Sequence, residues 1–429
     1  MSTFKIAVIA VFSVAIVAGI MVFALSKNTG TANVSAGLVA WGTISDDAFT
    51  NAYIASSLSG NKNIRVMYVR KDPSDFDRDF VEALAEGRGP DIVILREDLV
   101  YKNRNKLYPI PSEFYPERDF KDRFIEEGEL FLTPEGILAL PFIIDPMVMY
   151  WNRDLFSSNF IASPPKYWDE IPDLVPKITK KDGQANISQS TIAFGEWRNI
   201  TSAKELLIML MLQAGTPIIQ REENGLDTVL NLQFGYPRTP SQSATDFYIQ
   251  FSNPNLVSYS WNRSLPSSSN FFLSGNLAIY FGFASELVGI QQKNPNLNYG
   301  VTSVPQIRDS KKKVVFGHLY GISIVKQSKN IQASFIALNA LTEVEAIKGI
   351  GGITNLPPVR RDMLSVKPPE AHMQVFYDSA LISRSWIDPE PQATSNLFRD
   401  MIESITSGRS RASDALNRAE TELTALIKS

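Results

Sequence analysis

The chain opens on an unbroken apolar run, Phe4 to Leu25, whose only internal charge is Lys5, and no second run like it occurs. At about 1.5 Å per residue this run reaches roughly 33 Å, enough for a hydrocarbon layer of roughly 30 Å. It predicts that residues 1–27 form an N-terminal membrane anchor or signal segment. Ala24-Leu25-Ser26 and Val34-Ser35-Ala36 leave cleavage open. The small, polar stretch 28–36 reads as a spacer. Beyond it the pattern alternates between periods of two and 3.6. Gly37 to Gly42, Ile64 to Val69 and Asp91 to Leu95 read as strands. Between them lie helices that start at Ser45-Asp46-Asp47 and Pro73-Ser74-Asp75 and carry Phe49, Tyr53, Phe76, Phe80 and Leu84 at helical spacing. That β-α-β-α-β order implies a parallel sheet covered by helices. A second block follows Tyr167-Trp168-Asp169-Glu170, with helices over 203–213 and 270–291 and strands over 277–283 and 299–304. The last helix, 411–428, places Ala415, Leu416, Ala419, Leu423 and Leu426 on one stripe.

Length and charge narrow the classes. A chain of 429 residues is too long for one small core and predicts two α/β lobes. A formal net charge of −3 with scattered Lys and Arg gives no footprint for nucleic acid. With no cysteine there is no disulfide, no thiolate metal site and no thiol to carry a lipid. No cofactor or metal is expected. Asp75, Asp77, Asp79 and Glu86 match a calcium-loop spacing, but Phe80 occupies the position that needs glycine, so a solvated helix is the better reading. Gly349, Gly351 and Gly352 lack a strand before them and read as a turn into Asn355-Leu356-Pro357-Pro358. His318 and His372 lack metal or nucleophile context and read as structural or exposed.

Several segments occur in one collinear order: Gly37-Leu38-Val39-Ala40-Trp41, Gly87 to Val93, Leu138-Ala139-Leu140-Pro141, Met149 to Phe156, Pro164 to Ile171, Phe271 to Ile279, Asn298 to Val301 with Val304-Pro305, and Ser407-Gly408-Arg409. Together they resemble the extracellular solute-binding proteins of ABC importers, the maltose-binding-like, sugar-binding branch, over nearly all of 37–428. The resemblance implies an α/β, two-lobe periplasmic-binding-protein fold of type II, with discontinuous lobes joined by a hinge. One lobe would comprise 37–143 and 321–367 and the other 147–317 and 371–429. The crossings would fall near Ile144 to Pro146, His318 to Gly321 and Val366 to Glu370. The implied partners are a small solute, a sugar from the branch resembled, and ABC permease subunits, with the bilayer reached through residues 4–25. Catalysis is not implied.

Ligands of open α/β sheets sit beyond the carboxyl ends of strands. The turns there hold Trp41, Thr43 and Ser45, then Arg96, Glu97 and Asp98, then Asp145. From the second lobe come Trp197 and Arg198, Phe283 and Ser285, and Trp386. The resemblance assigns Asp98 and Asp145 to positions where carboxylates accept from sugar hydroxyls. It also marks two departures, since sugar-stacking tryptophans of the family stand here as Leu95 and, on a rougher alignment, Ser395. Aromatic faces and planar charged groups are the partners a sugar needs. Two other classes stay open: a glycan-acting enzyme in which Glu97, Asp98 and Asp145 converge, and a binding fold reused as a receptor or scaffold.

Overall fold

The computed structural model describes residues 34–222 and 225–428. The apolar run 4–25 lies outside them, and among the described residues no helix is long and apolar enough to cross a membrane.

A ten-stranded mixed sheet organises the chain. In chain order its strands are β1 (Ala36–Gly42), β2 (Ile64–Arg70), β3 (Ile92–Arg96), β4 (Leu140–Asn152), β5 (Lys180–Lys181), β6 (Ile187–Ile192), β7 (Leu277–Phe283), β8 (Tyr299–Thr302), β9 (Val315–Ile324) and β10 (Ser383–Arg384). The spatial order is β2-β1-β3-β9-β4-β7-β6-β5, with β8 also on β4 and β10 on β9. The predicted β-α-β-α-β block is present: β1 pairs in parallel with β2 and β3, and helices Asp46–Ala55 and Phe76–Ala85 connect them. Ser45 starts the first helix by accepting from the Ala48 amide at 3.3 Å. Phe49 on that helix stacks on Tyr68 of β2, with ring centroids 4.4 Å apart.

The join between the two flanks of the sheet is β4. Its 13 residues are buried at every position but one, as expected of a strand covered on both faces. Leu140 to Pro146 pair antiparallel with β9, and Met147 to Trp151 pair antiparallel with β7. One strand therefore changes partner between Pro146 and Met147. Asp145 sits at that point, directly opposite His318 of β9.

Two expectations change. The stretch 270–291 is not one helix: Ser268–Leu273 and Glu286–Lys293 flank β7. Gly275 at φ +78° ends the first helix, and the fully buried Leu277 to Phe283 run continues as a central strand. Gly349, Gly351 and Gly352 lie inside helix Val344–Thr354 rather than in a turn, and Asn355 at φ 55° closes it. A Cβ at Gly349 would stand 2.7 Å from the Asn51 carbonyl oxygen, so this glycine sets how closely the helix packs on Asp46–Ala55. The acidic spacing 75–86 is the helix Phe76–Ala85, with Asp77 bound to Lys102 and Asp79 to Lys71. Helix Ala412–Lys428 buries Ala415, Leu416, Ala419 and Leu423 as the stripe predicts. Trp168 is buried at a helix start, its indole N–H donating to Gln213 at 2.6 Å.

Gly349→Val is expected to destabilise the chain by about 1–3 kcal/mol through overpacking. Gly352→Ala, on the same helix but with open space around its missing Cβ, should instead stabilise by up to about 1 kcal/mol. Urea unfolding midpoints of the two variants check the contrast.

Candidate functional site

Strand β3 ends in Arg96, and the chain turns at once into helix Glu97–Lys102, which starts with two acids where a helix N-terminus favours negative charge. On the other flank Ser202, in the left-handed region at φ 57°, leads into helix Ala203–Ala214, so that Lys204 and Glu205 occupy its first turn. Between these helix starts lies a cleft of about 510 Å³. One wall is formed by Pro73, Ser74, Arg96, Asp98, Leu99 and Lys102. The opposite wall is formed by Trp197, Ile200, the 202–205 turn, and Pro391, Gln392 and Ser395. Beneath it a void of about 10 Å³, the size of a water, is walled by Glu97, Asp98, Lys204, Glu205, His318, Ser385, Trp386 and Asp388.

Most charges of the floor are arranged in hydrogen-bonded groups. Arg96 forks onto Asp98, Nε to Oδ1 at 3.0 Å and a second nitrogen to Oδ2, and Asp98 also accepts from the Leu99 amide at 2.8 Å. Burial works against the charged form of Asp98, but Arg96 outweighs it and holds the carboxyl below its usual range. Lys204 donates to Asp388, to the Pro391 carbonyl at 3.1 Å and to the Thr394 hydroxyl at 2.8 Å, which uses all three of its protons. Asp388 is 2% exposed, and burial raises its pKa despite Lys204. Lys102 joins Asp77 and Glu390, each at 2.8 Å, and so ties helix Glu97–Lys102 to the loop before helix Pro391–Thr406. Glu97 binds His318 Nδ1 at 3.0 Å and the Leu319 amide at 2.9 Å. Behind it Glu127 is buried with neither carboxylate oxygen hydrogen-bonded, and burial, reinforced by Glu97, raises its pKa well above the ordinary value.

The structure gathers some expected residues and disperses others. Arg96, Asp98 and Trp197 line the cleft, while Glu97 and Trp386 line the void below it. Asp145, Phe283 and Ser285 group at the strand crossing: the Ser285 amide donates to Asp145 at 3.0 Å, and burial raises the Asp145 pKa despite that bond. Trp41 is covered by the Lys71 ammonium at 3.9 Å, and Ser45 is engaged in capping; neither they nor Thr43 line the cleft. Arg198 is exposed and bound to Glu403 at 2.6 Å, away from the cleft wall. Leu95 is core, whereas Ser395 does line the cleft. The sequence reading missed Lys102, Lys204, Glu205 and Asp388, and passed over His318. Lys204 and Glu205 had a findable signal, a helix start soon after a strand-end loop. The signal for His318 was its place on a crossing strand.

The bacterial extracellular solute-binding protein profile matches residues 41–347, and the chain belongs to that family. A relative from Brucella abortus named as a binding protein is 25% identical over 236 residues. That match covers 54% of this chain and 53% of the relative, so the chain spans about half the length of the curated relatives it matches. Among solved structures, a cyclo/maltodextrin-binding protein complexed with maltotetraose superposes with a TM-score of 0.73 at 17% identity, covering 94% of this chain and 99% of that one. A cyclic α-maltosyl-1,6-maltose binding protein from Arthrobacter globiformis gives 0.74 at 15% identity, over 92% and 99%. A solute-binding protein from Thermotoga lettingae bound with α-D-tagatose gives 0.66 at 17% identity, over 92% and 100%. The fold is thus the mixed α/β one of periplasmic binding proteins, and its family and structural neighbours are binding proteins rather than enzymes.

Lys204→Met leaves Asp388 buried without its cation and should cost about 3–5 kcal/mol in urea unfolding. Glu127 gives a pH signature. Its folded pKa is raised, so its stabilising contribution is complete below the unfolded value of 4.5 and is lost as pH rises toward the folded one. Glu127→Gln does not titrate, so its stability relative to wild type should be near zero at about pH 4 and exceed about +1 kcal/mol by about pH 7.5.

Proposed function

We propose that this protein captures a carbohydrate in the cleft between two hinged lobes and hands it to an ABC importer, held at the outer face of the membrane by residues 4–25. The observation that carries the reading is the cleft itself. It opens between helix starts on opposite flanks of a sheet whose long central strand changes partner beneath it. A ligand touching both walls would favour closure about that crossing. The two lobes of this proposal are 37–143 with 321–367 and 147–317 with 371–429. Neighbours of the same fold hold maltotetraose and tagatose, which supports a sugar here. Trp197 supplies an aromatic wall, and the family's second stacking position is Ser395, which favours a ligand smaller than a long maltodextrin.

The glycan-acting alternative is disfavoured by how the carboxylates are spent. Asp98 lies in the Arg96 fork, Glu97 is tied to His318 and the Leu319 amide, and Asp145 accepts from Ser285. None is left as a free acid and nucleophile facing one bond.

Calorimetric titration of the full chain with mono- and oligosaccharides is expected to give saturable binding and a raised melting temperature without product formation. Trp197→Ala should weaken that binding by about tenfold or more. Turnover of any glycan, or no stabilisation by any sugar, would overturn the proposal.

A further inference from the structure

Of the charged side chains that line the cleft, one is left without a hydrogen bond. Arg96 forks onto Asp98 through two of its N–H groups, Lys102 is held by Asp77 and Glu390, and Lys204 is saturated by three acceptors. The Glu205 carboxylate accepts no hydrogen bond among the described residues. Its nearest cationic group is His318, with Nε2 4.0 Å from Oε1, and its side chain is 20% exposed. Glu205 lines both the cleft and the void below it, so it stands between solvent and the buried imidazole.

That imidazole is held in one orientation. Nδ1 faces Glu97 at 3.0 Å, Phe283 stacks on the ring at 4.4 Å and Phe316 packs edge-on at 5.4 Å. With Nδ1 committed to Glu97, Nε2 is the atom directed at Glu205. We infer that Glu205 is a ligand-contact residue that accepts hydrogen bonds from sugar hydroxyls, and that His318, held by Glu97, is the positioning residue that makes its grip depend on pH. This rests on the carbohydrate reading above.

The sign follows from the surroundings of the ring. Acids face it from several elements: Glu97 and Asp98 from helix Glu97–Lys102, Glu205 from helix Ala203–Ala214, Asp145 from β4 and Asp388 from the loop that closes the void. Opposed to them are Arg96 at the end of β3 and Lys204, both already bound to carboxylates, while Tyr320 lies two positions along β9 and Glu127 sits behind Glu97. Burial disfavours the imidazolium, but Glu97 outweighs it and raises the pKa of His318 above its ordinary value. Below that raised value Nε2 carries a proton and steadies Glu205 across the 4.0 Å gap. As pH rises through it, a lone pair replaces the proton, and the carboxylate loses its nearest cation, while Arg96 and Lys204 stay engaged with Asp98 and Asp388. Ligand affinity must then fall with rising pH.

The test uses the full chain and two probes, maltotetraose and tagatose, titrated calorimetrically from about pH 5.5 to about pH 8.5 across the range where histidine ionises. In parallel, the imidazole proton resonances are followed by NMR; the chain has only two histidines, and His372, packed on Phe376, serves as the internal reference. Wild type should lose about fivefold or more in affinity across the His318 midpoint. Glu205→Gln should bind about tenfold or more weakly at the acid end and show a flattened profile. It should also lower the His318 midpoint, with the melting temperature unchanged above that midpoint, where the altered titration carries no stability; a merely structural role would leave the affinity unmoved. Binding that is indifferent to Glu205→Gln, or a wild-type pH profile in that variant, or an unmoved His318 midpoint, overturns the inference alone. Absence of binding of these probes and of every other sugar titrated, at every pH, overturns the carbohydrate reading and this inference with it.

Discussion

Burying charge where one long strand changes partners is the constraint that organises this protein. Where β4 exchanges one partner strand for another, Asp145 and His318 face each other, with Glu97 and Glu127 close behind. An isolated ion there would cost several kcal/mol, so each is neutralised by a proton, a cation or a set of amides. The helix starts of the cleft walls extend the same solution outward through Arg96 with Asp98 and Lys204 with Asp388. Arg96 and Asp98 are close in sequence, but Glu97 with His318 and Lys102 with Glu390 join distant parts of the chain, and the second of these ties one cleft wall to the other.

The same economy shapes binding. A side chain whose hydrogen-bonding capacity is used up internally can shape a cleft but adds little to recognition of a guest. Lys204 is the clearest example: its charge would attract an anionic ligand, yet its three donors are spoken for and its partner Asp388 cancels the field at short range. Counting charged residues around the cleft therefore misjudges its preference. Of the charged groups that line it, Glu205 is the one that makes no hydrogen bond among the described residues, and it shares its wall with Trp197. That combination suits a hydroxylated ligand better than an anionic one.

How much of this could be read from the chain depends on the range of the interaction. The β1 to β3 block, the Ser45 cap and the amphipathic last helix are governed by residues a few positions apart, and their signals survive in the sequence. The collinear segments that resemble a solute-binding family point to the family, which the matching profile bears out. The helix expected over 270–291 failed where a local turn and a doubly buried strand competed with helical spacing, and burial won. The glycines at 349–352 failed for a similar reason: without the Asp46–Ala55 helix in view, nothing shows that Gly349 is a packing residue.

The site was half legible for a related cause. Strand ends identify the turns from which a cleft is built, and Arg96, Asp98 and Trp197 came from that rule. The rule is silent about what a side chain does on arrival. Arg198 adjoins Trp197 in sequence, yet it turns outward to Glu403 while its neighbour faces the cleft. His318 carries no motif at all. Its role comes from Glu97, Glu205, Phe283 and Phe316, of which only Phe316 is near in sequence. A histidine becomes a pH-responsive part of a site through its neighbours' charges and the locking of its ring. Both are properties of the packed joint, which is why a lone His in a sequence is silent and the same residue in the fold is not.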